Sequence, residues 1–144
     1  MKALFDSSVL VPALMEAHAD HREAAAALDA VHGGTCRGVA STHVLAETWS
    51  SLTGMPVRPP LDPVEVWRSM KMAVMDRFEI VCLDTDDYGG VLDEMSRAGL
   101  RGGAVYDALH IRAARKAGVD EIWTYDVRDF RRLAPDLADR IRTP

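Results

Sequence analysis

Cysteine is nearly missing from this chain: Cys36 and Cys82 stand alone, far apart and without a CxxC pairing. That excludes a disulfide-built scaffold and a cysteine-rich zinc site, and both thiols are expected to be reduced and buried. No apolar run approaches the roughly 18 residues that a membrane span needs. The start, Met1-Lys2-Ala3-Leu4-Phe5-Asp6, sets an acid where the apolar stretch of a signal peptide would continue. A soluble, cytoplasmic protein is the expectation. A surplus of positive charge is missing as well. With 17 Lys and Arg against 22 Asp and Glu the net charge is −5, which argues against a protein that coats polyanions without selectivity. An acidic total is still compatible with a nuclease, because carboxylates that hold cations count as −1 each in a tally that omits the metal.

What is present suits one domain spanning residues 1–144: the chain has 144 residues and 48% of them are hydrophobic, enough for one full core. Lys2 to Phe5 reads as a strand that ends in Asp6-Ser7-Ser8, and from Ser8 the apolar residues Val9, Leu10, Val11, Leu14 and Met15 take helical spacing. Asp20 is placed to cap a helix over His21 to Val31, which Gly33-Gly34 stops. A strand near Gly38 to Ala40 follows, then a helix capped by Ser41 or Thr42 that carries Leu45, Glu47, Trp49 and Leu52. Met55 to Pro63 holds four of the seven prolines and reads as an exposed connector, since neither flank would form a core alone. Beyond it the pattern predicts a helix through Val66, Trp67, Met70 and Val74, a strand at Ile80 to Leu83, and a helix capped by Thr85 that reaches Gly99. An apolar helix over Val105 to Ala117, a strand at Ile122 to Thr124, a short helix near Asp129 to Leu133 and an edge strand near Ile141 complete the reading. Strands alternating with helices predict an α/β fold, a mainly parallel sheet covered on both faces. In such sheets the ligand site lies beyond the carboxyl ends of the strands.

Acids stand at those ends. Asp6 closes the first strand and Asp126 follows the Ile122 to Thr124 strand, so parallel strands would bring both to one edge of the sheet. Asp107 lies in the first turn of an otherwise apolar helix, and Glu47 sits in a helix whose neighbours Leu45, Ala46 and Trp49 suggest packing. Carboxylates crowded together repel and raise one another's pKa unless a cation neutralises them. Hard oxygen ligands imply Mg²⁺ or Mn²⁺, and such ions serve phosphodiester hydrolysis.

The motifs Leu4-Phe5-Asp6-Ser7-Ser8, Leu45-Ala46-Glu47, Tyr106-Asp107-Ala108-Leu109-His110 and Thr124-Tyr125-Asp126-Val127-Arg128-Asp129-Phe130, in this order, resemble the PIN domain and within it the VapC-type toxins. The resemblance runs from Met1 to about Phe130. It implies a three-layer α/β/α sandwich and a Mg²⁺- or Mn²⁺-dependent endoribonuclease restrained by a VapB-type antitoxin. It makes Asp6, Glu47, Asp107 and Asp126 the catalytic, metal-binding quartet, with Thr124 in support and Asp129 a further acid of the closing motif. It also implies cleavage to 3′-hydroxyl and 5′-phosphate ends, an RNA substrate such as a tRNA loop, an antitoxin segment that inserts near the acids, and a homodimer. The proline-rich connector departs from the family average.

Other features have simpler readings. Asp84, Asp86 and Asp87 suit a helix start. His43 with Glu47, and His18 with Asp20 and His21, lack the remaining ligands of a zinc site. His110 is read as structural, and Trp49, Trp67 and Trp123 as core or interface. Among the C-terminal basic residues, Arg112 and Arg128 are the candidates for phosphate contact. Two rival functions are a noncatalytic PIN-like binding module and an aspartyl-phosphate phosphotransferase using Asp6. The second would want another Asp where Ser8 stands.

Overall fold

A computed structural model describes residues 1–144. Its elements in chain order are β1 (Lys2–Phe5), α1 (Ser7–Ala13), α2 (His21–His32), β2 (Arg37–Ser41), α3 (Thr42–Thr53), α4 (Pro63–Met70), β3 (Glu79–Val81), α5 (Thr85–Arg97), α6 (Ala104–Ala117), β4 (Glu121–Trp123), α7 (Val127–Leu133) and β5 (Ile141–Arg142). The five strands form one sheet in the order β3-β2-β1-β4-β5, and every pairing is parallel. The first strand made is therefore the central one. Leu4 lies opposite Val39 on one side and Ile122 on the other.

Side chains alternate across a strand, and β1 shows what this does. Ala3 and Phe5 enter a core with Val9, Leu10, Leu28 and Val31, so α1 and α2 cover that face. Leu4 enters the opposite core with Ile111, Ala114 and Phe130, so α6 and α7 cover the other. The result is the α/β/α sandwich expected from the alternation of strand and helix signals. Both faces of β1 are closed: Leu4 and Phe5 are fully buried, each contributing about 1.5–3 kcal/mol relative to exposure. Gly38 of β2 lies against a ring: a Cβ there would stand 2.6 Å from Phe78. Phe78 in turn meets Phe5 edge to face at 4.9 Å.

Helix ends follow local chemistry. Ser41 caps α3 by accepting from the Val44 N–H, and Asp62 caps α4 with Pro63 in the first turn. Gly118 ends α6 in the left-handed region at φ 62°, where a Cβ would be strained. Several sequence expectations need correction. The cap of α5 is Asp84, not Thr85, because Asp84 and Asp87 form a reciprocal capping box. Asp20 makes no side-chain bond to α2. The third strand stops at Val81, so Cys82 falls on the surface, and only Cys36 is buried. The helix begun at Pro63 widens after Met70, the Asp76 N–H reaching back five residues to the Lys71 carbonyl. Of the three tryptophans read as core or interface, Trp123 lies in the core, and Trp49 and Trp67 are 41% and 45% exposed.

Candidate active site

Parallel pairing of β1 with β4 sets the frame. The Asp6 N–H donates to the Trp123 carbonyl at 3.0 Å, which continues the ladder one residue beyond β1. Asp6 is 3% exposed, yet one of its oxygens is heavily used. Oδ2 accepts from Ser8 Oγ at 2.6 Å and from Thr124 Oγ1 at 2.9 Å. Those hydroxyls accept in turn from the backbone, Ser8 Oγ from the Tyr125 N–H and Thr124 Oγ1 from the Asp126 N–H. Each hydroxyl has one proton, and both protons go to Asp6. The carboxylate is thereby fixed, with Oδ1 left facing His110 Nε2 at 3.6 Å. Ser8 is thus a hydrogen-bond donor to Asp6, which leaves no second acid for the aspartyl-phosphate reading.

Glu47, near the middle of α3, reaches the same place from across the sheet edge. Its Oε2 lies 2.5 Å from His110 Nε2. His110, one turn past Asp107 on α6, is 1% exposed and also meets Ser41 Oγ through Nδ1 at 2.9 Å. Ser41 Oγ already accepts from the Val44 N–H. The Glu47 carboxylate can only accept, so the imidazole proton is assigned to Nε2, directed at Glu47, and Nδ1 of that tautomer accepts from Ser41 Oγ. Sequence reasoning took His110 as structural. It is buried, but it bridges Glu47 and Asp6. The available signal was its spacing of one helical turn from Asp107, on the side of α6 that faces the sheet.

The electrostatics follow from this crowding. Burial raises the carboxyl of Asp107 to about 6, helped by the charges of Asp6, Asp126 and Glu47 and opposed by His110. Burial also raises Asp126, with Asp6 and Asp129 adding to it. Burial lowers His43, against the pull of Glu47. Its Nε2 is buried without a hydrogen-bond partner, 4.0 Å from Glu47 Oε1. As positioned, no three His, Cys, Asp or Glu side chains close into a ligand shell, and His110 Nε2 stands 2.5 Å from Glu47 and 3.6 Å from Asp6. The donor set nonetheless fits a hard divalent cation. It is made of carboxylate oxygens, two of the carboxyls are held above their usual range, and their neighbours' negative charge is what a cation would offset.

The remaining candidates lie elsewhere. Asp87 is pulled down to about 2, first by the Lys116 hydrogen bond, and it also receives Arg112 Nε at 3.1 Å. Arg112 is thereby turned toward α5, on the rim of a cavity of about 440 Å³ that none of the four acids lines. Arg128 projects into solvent beside Asp129. His21 bonds the Pro12 carbonyl, and His18 pairs only with Asp20.

The chain matches the PIN domain family over residues 3–135. It is 34% identical over 124 residues to Ribonuclease VapC40 of Mycobacterium tuberculosis, covering 85% of each chain. Its fold is similar to that of Mycobacterium tuberculosis VapC20, described as a Sarcin-Ricin loop cleaving toxin, with a TM-score of 0.68 and 18% identity over 86% of this chain and 89% of that one. It is similar also to VapBC2 from Rickettsia felis, bound to a DNA fragment from their promoter, with a TM-score of 0.67 and 18% identity over 100% and 99%. A toxin–antitoxin complex from Klebsiella pneumoniae gives 0.60 and 21% over 89% of each. At these identities the solved structures speak for the fold, and the curated relative for the family. The chain therefore belongs to the PIN-domain family and, within it, to the VapC ribonucleases.

Proposed function

We propose that this protein, acting as one PIN domain over residues 1–144, hydrolyses RNA phosphodiesters at the face formed by Asp6, Glu47, Asp107 and Asp126, with Mg²⁺ or Mn²⁺ as cofactor. The observation that carries the reading is Asp107. An acid in the first turn of an apolar helix, lifted to about 6 by burial and by three other carboxylates, is poor for folding and useful for holding a cation. Asp6, Asp107 and Asp126 would hold the principal ion, and Glu47 would help with a second or orient the attacking water. A bound divalent cation supplies charge neutralisation of the phosphate and a lowered pKa for water.

The chain's own residues have separable tasks. Ser8 and Thr124 fix Asp6 so that one carboxylate oxygen keeps its direction. His110 holds Glu47 and stands beside Asp6, so the two carboxylates share one buried imidazole. Attack by water with departure of the 3′ oxygen leaves 3′-hydroxyl and 5′-phosphate ends. The relatives named VapBC and the toxin–antitoxin complexes support a VapB-type antitoxin as partner. A structured or single-stranded RNA such as a tRNA loop, and a homodimer, complete the proposal.

The test is cleavage of total RNA by the purified protein with Mg²⁺, with Mn²⁺ and with EDTA, beside Asp107→Asn from the same preparation. Cuts that need metal and disappear in the variant are expected. Equal cutting by both proteins would overturn the assignment.

A further inference from the structure

Three rings step outward from the acidic face. His110 is buried against Glu47 and Asp6. His43 lies next, its ring centroid 5.8 Å from that of His110. Tyr106 lies beyond it, stacked on His43 at 4.9 Å with the planes 14° apart. The outermost ring is 47% exposed although its inner face is covered by the imidazole, so the open area belongs to the other face and the edges. An aromatic ring held flat by a second ring and presented to solvent is a stacking platform.

Its surroundings select the ligand class. Tyr106 and His43 line one cavity of about 390 Å³ with Ala46, Glu47, Ser50 and Ser51. Apart from the rings, the lining offers hydroxyls and one carboxylate, and Ala46 is its single aliphatic side chain. An apolar peptide anchor would find little to bury there. A planar heterocycle carrying hydroxyl and amine groups would find a ring to stack on and oxygens to bond. Ser51 also lines a second cavity with Ser7, Ser8 and Tyr125, so the two hollows share a wall, and Ser8 of the second bonds Asp6.

We propose that Tyr106, backed by His43, seats a nucleobase of the RNA strand next to the scissile phosphate and so sets which sequence context is cut. This rests on the ribonuclease reading. Stacking on every base is favourable, so the platform secures a purine or pyrimidine whose neighbouring phosphate then lies at the acids. Ser50 and Ser51 discriminate among the bases through their edges.

The test compares wild type, Tyr106→Ala and Tyr106→Phe on single-stranded RNA oligomers, with 2-aminopurine walked through the positions flanking the mapped cut. Cleavage is followed in Mn²⁺ and fluorescence with Ca²⁺ in its place. Expected for Tyr106→Ala is a KM higher on the order of 10- to 100-fold, a smaller change in kcat, broadened cut-site preference, and loss of 2-aminopurine quenching at one flanking position. Tyr106→Phe keeps all four properties of the wild type, since stacking needs the ring and not the hydroxyl. Unchanged KM, cut sites and quenching in Tyr106→Ala would overturn the platform while leaving the ribonuclease reading intact. Wild type that neither binds nor cuts any oligomer would overturn both.

Discussion

His110 Nε2 and Glu47 Oε2 meet at 2.5 Å although 63 positions separate them in the chain. The contact ties α6 to α3 directly beneath the acidic face, and Ser41 completes it from the other ring nitrogen. Replacing the ring by alanine leaves the Ser41 hydroxyl and the Glu47 carboxylate without their partner. His110→Ala is expected to lower RNA cleavage by about 10–100-fold, as loss of a ligand's supporting hydrogen bond does. It is also expected to cost ~2–4 kcal/mol of stability through the cavity and the unmet polar groups. Denaturant melts and steady-state rates on the same sample separate the two effects.

Asp107 predicts how stability depends on pH when metal is removed. Its folded-state carboxyl is raised to about 6, above the ~3.9 of an unfolded chain. Between those values the folded form binds the proton and the unfolded form does not, so stability falls as pH rises from about 4 to about 6 and stays lowered above. Asp107→Asn, which is never charged, is expected to melt higher than wild type at pH 7.5 in EDTA and to match it near pH 3.5. Mn²⁺ should raise the wild-type melting temperature at pH 7.5 and do much less for the variant. Coinciding melts of the two apoproteins at both pH values would show that Asp107 suffers no charge crowding in the folded protein.

Thr124 accepts from the Asp126 N–H and donates to Asp6 Oδ2. Valine keeps the shape and loses both bonds. Thr124→Val is expected to weaken Mn²⁺ binding by about 10-fold and to lower stability by ~1–3 kcal/mol, measured by titration calorimetry and by thermal melts. Ser8→Ala should follow in the same direction, since Ser8 Oγ donates to the same oxygen.

Gly38→Ala tests the packing rather than the chemistry. The added carbon would stand 2.6 Å from the Phe78 ring, which is pinned by Phe5, so the ring must shift within a filled core. A loss of ~1–3 kcal/mol is expected. Cleavage per folded molecule should be nearly unchanged, because neither Gly38 nor Phe78 lines the acidic face.

Much of the fold is legible in the sequence. Strand and helix signals alternate along the chain, and Ala3, Leu4 and Phe5 put apolar side chains on both faces of β1, which specifies a covered parallel sheet. Asp6 and Asp126 were placed together by the rule that parallel strands deliver their ends to one edge. What sequence could not show were contacts made across elements. His110 looked like a core histidine because its partners, Ser41 and Glu47, are remote in the chain and come together only when α3 and α6 pack. Arg112 looked available for phosphate because nothing local reveals that Asp87, at the start of α5, takes it. Trp49 and Trp67 lie in apolar stretches, yet each falls on a side of its helix that the sandwich leaves partly uncovered, at 41% and 45% exposed. The cap of α5 was misplaced by one residue because Asp84 and Thr85 both suit the position, and only the Asp84–Asp87 geometry decides between them.

The strand order has a consequence for how the protein comes into being. β1 is synthesised first and lies at the centre, while its neighbour β4 is made only after β2 and β3 have already been laid down on the opposite side. Asp6 therefore waits, from the first moments of translation, for a partner 120 positions downstream. The acidic face is incomplete until the residues through Asp126 have been made and β4 has paired with β1. The order of the strands thus makes completion of that face a late event in the making of the chain.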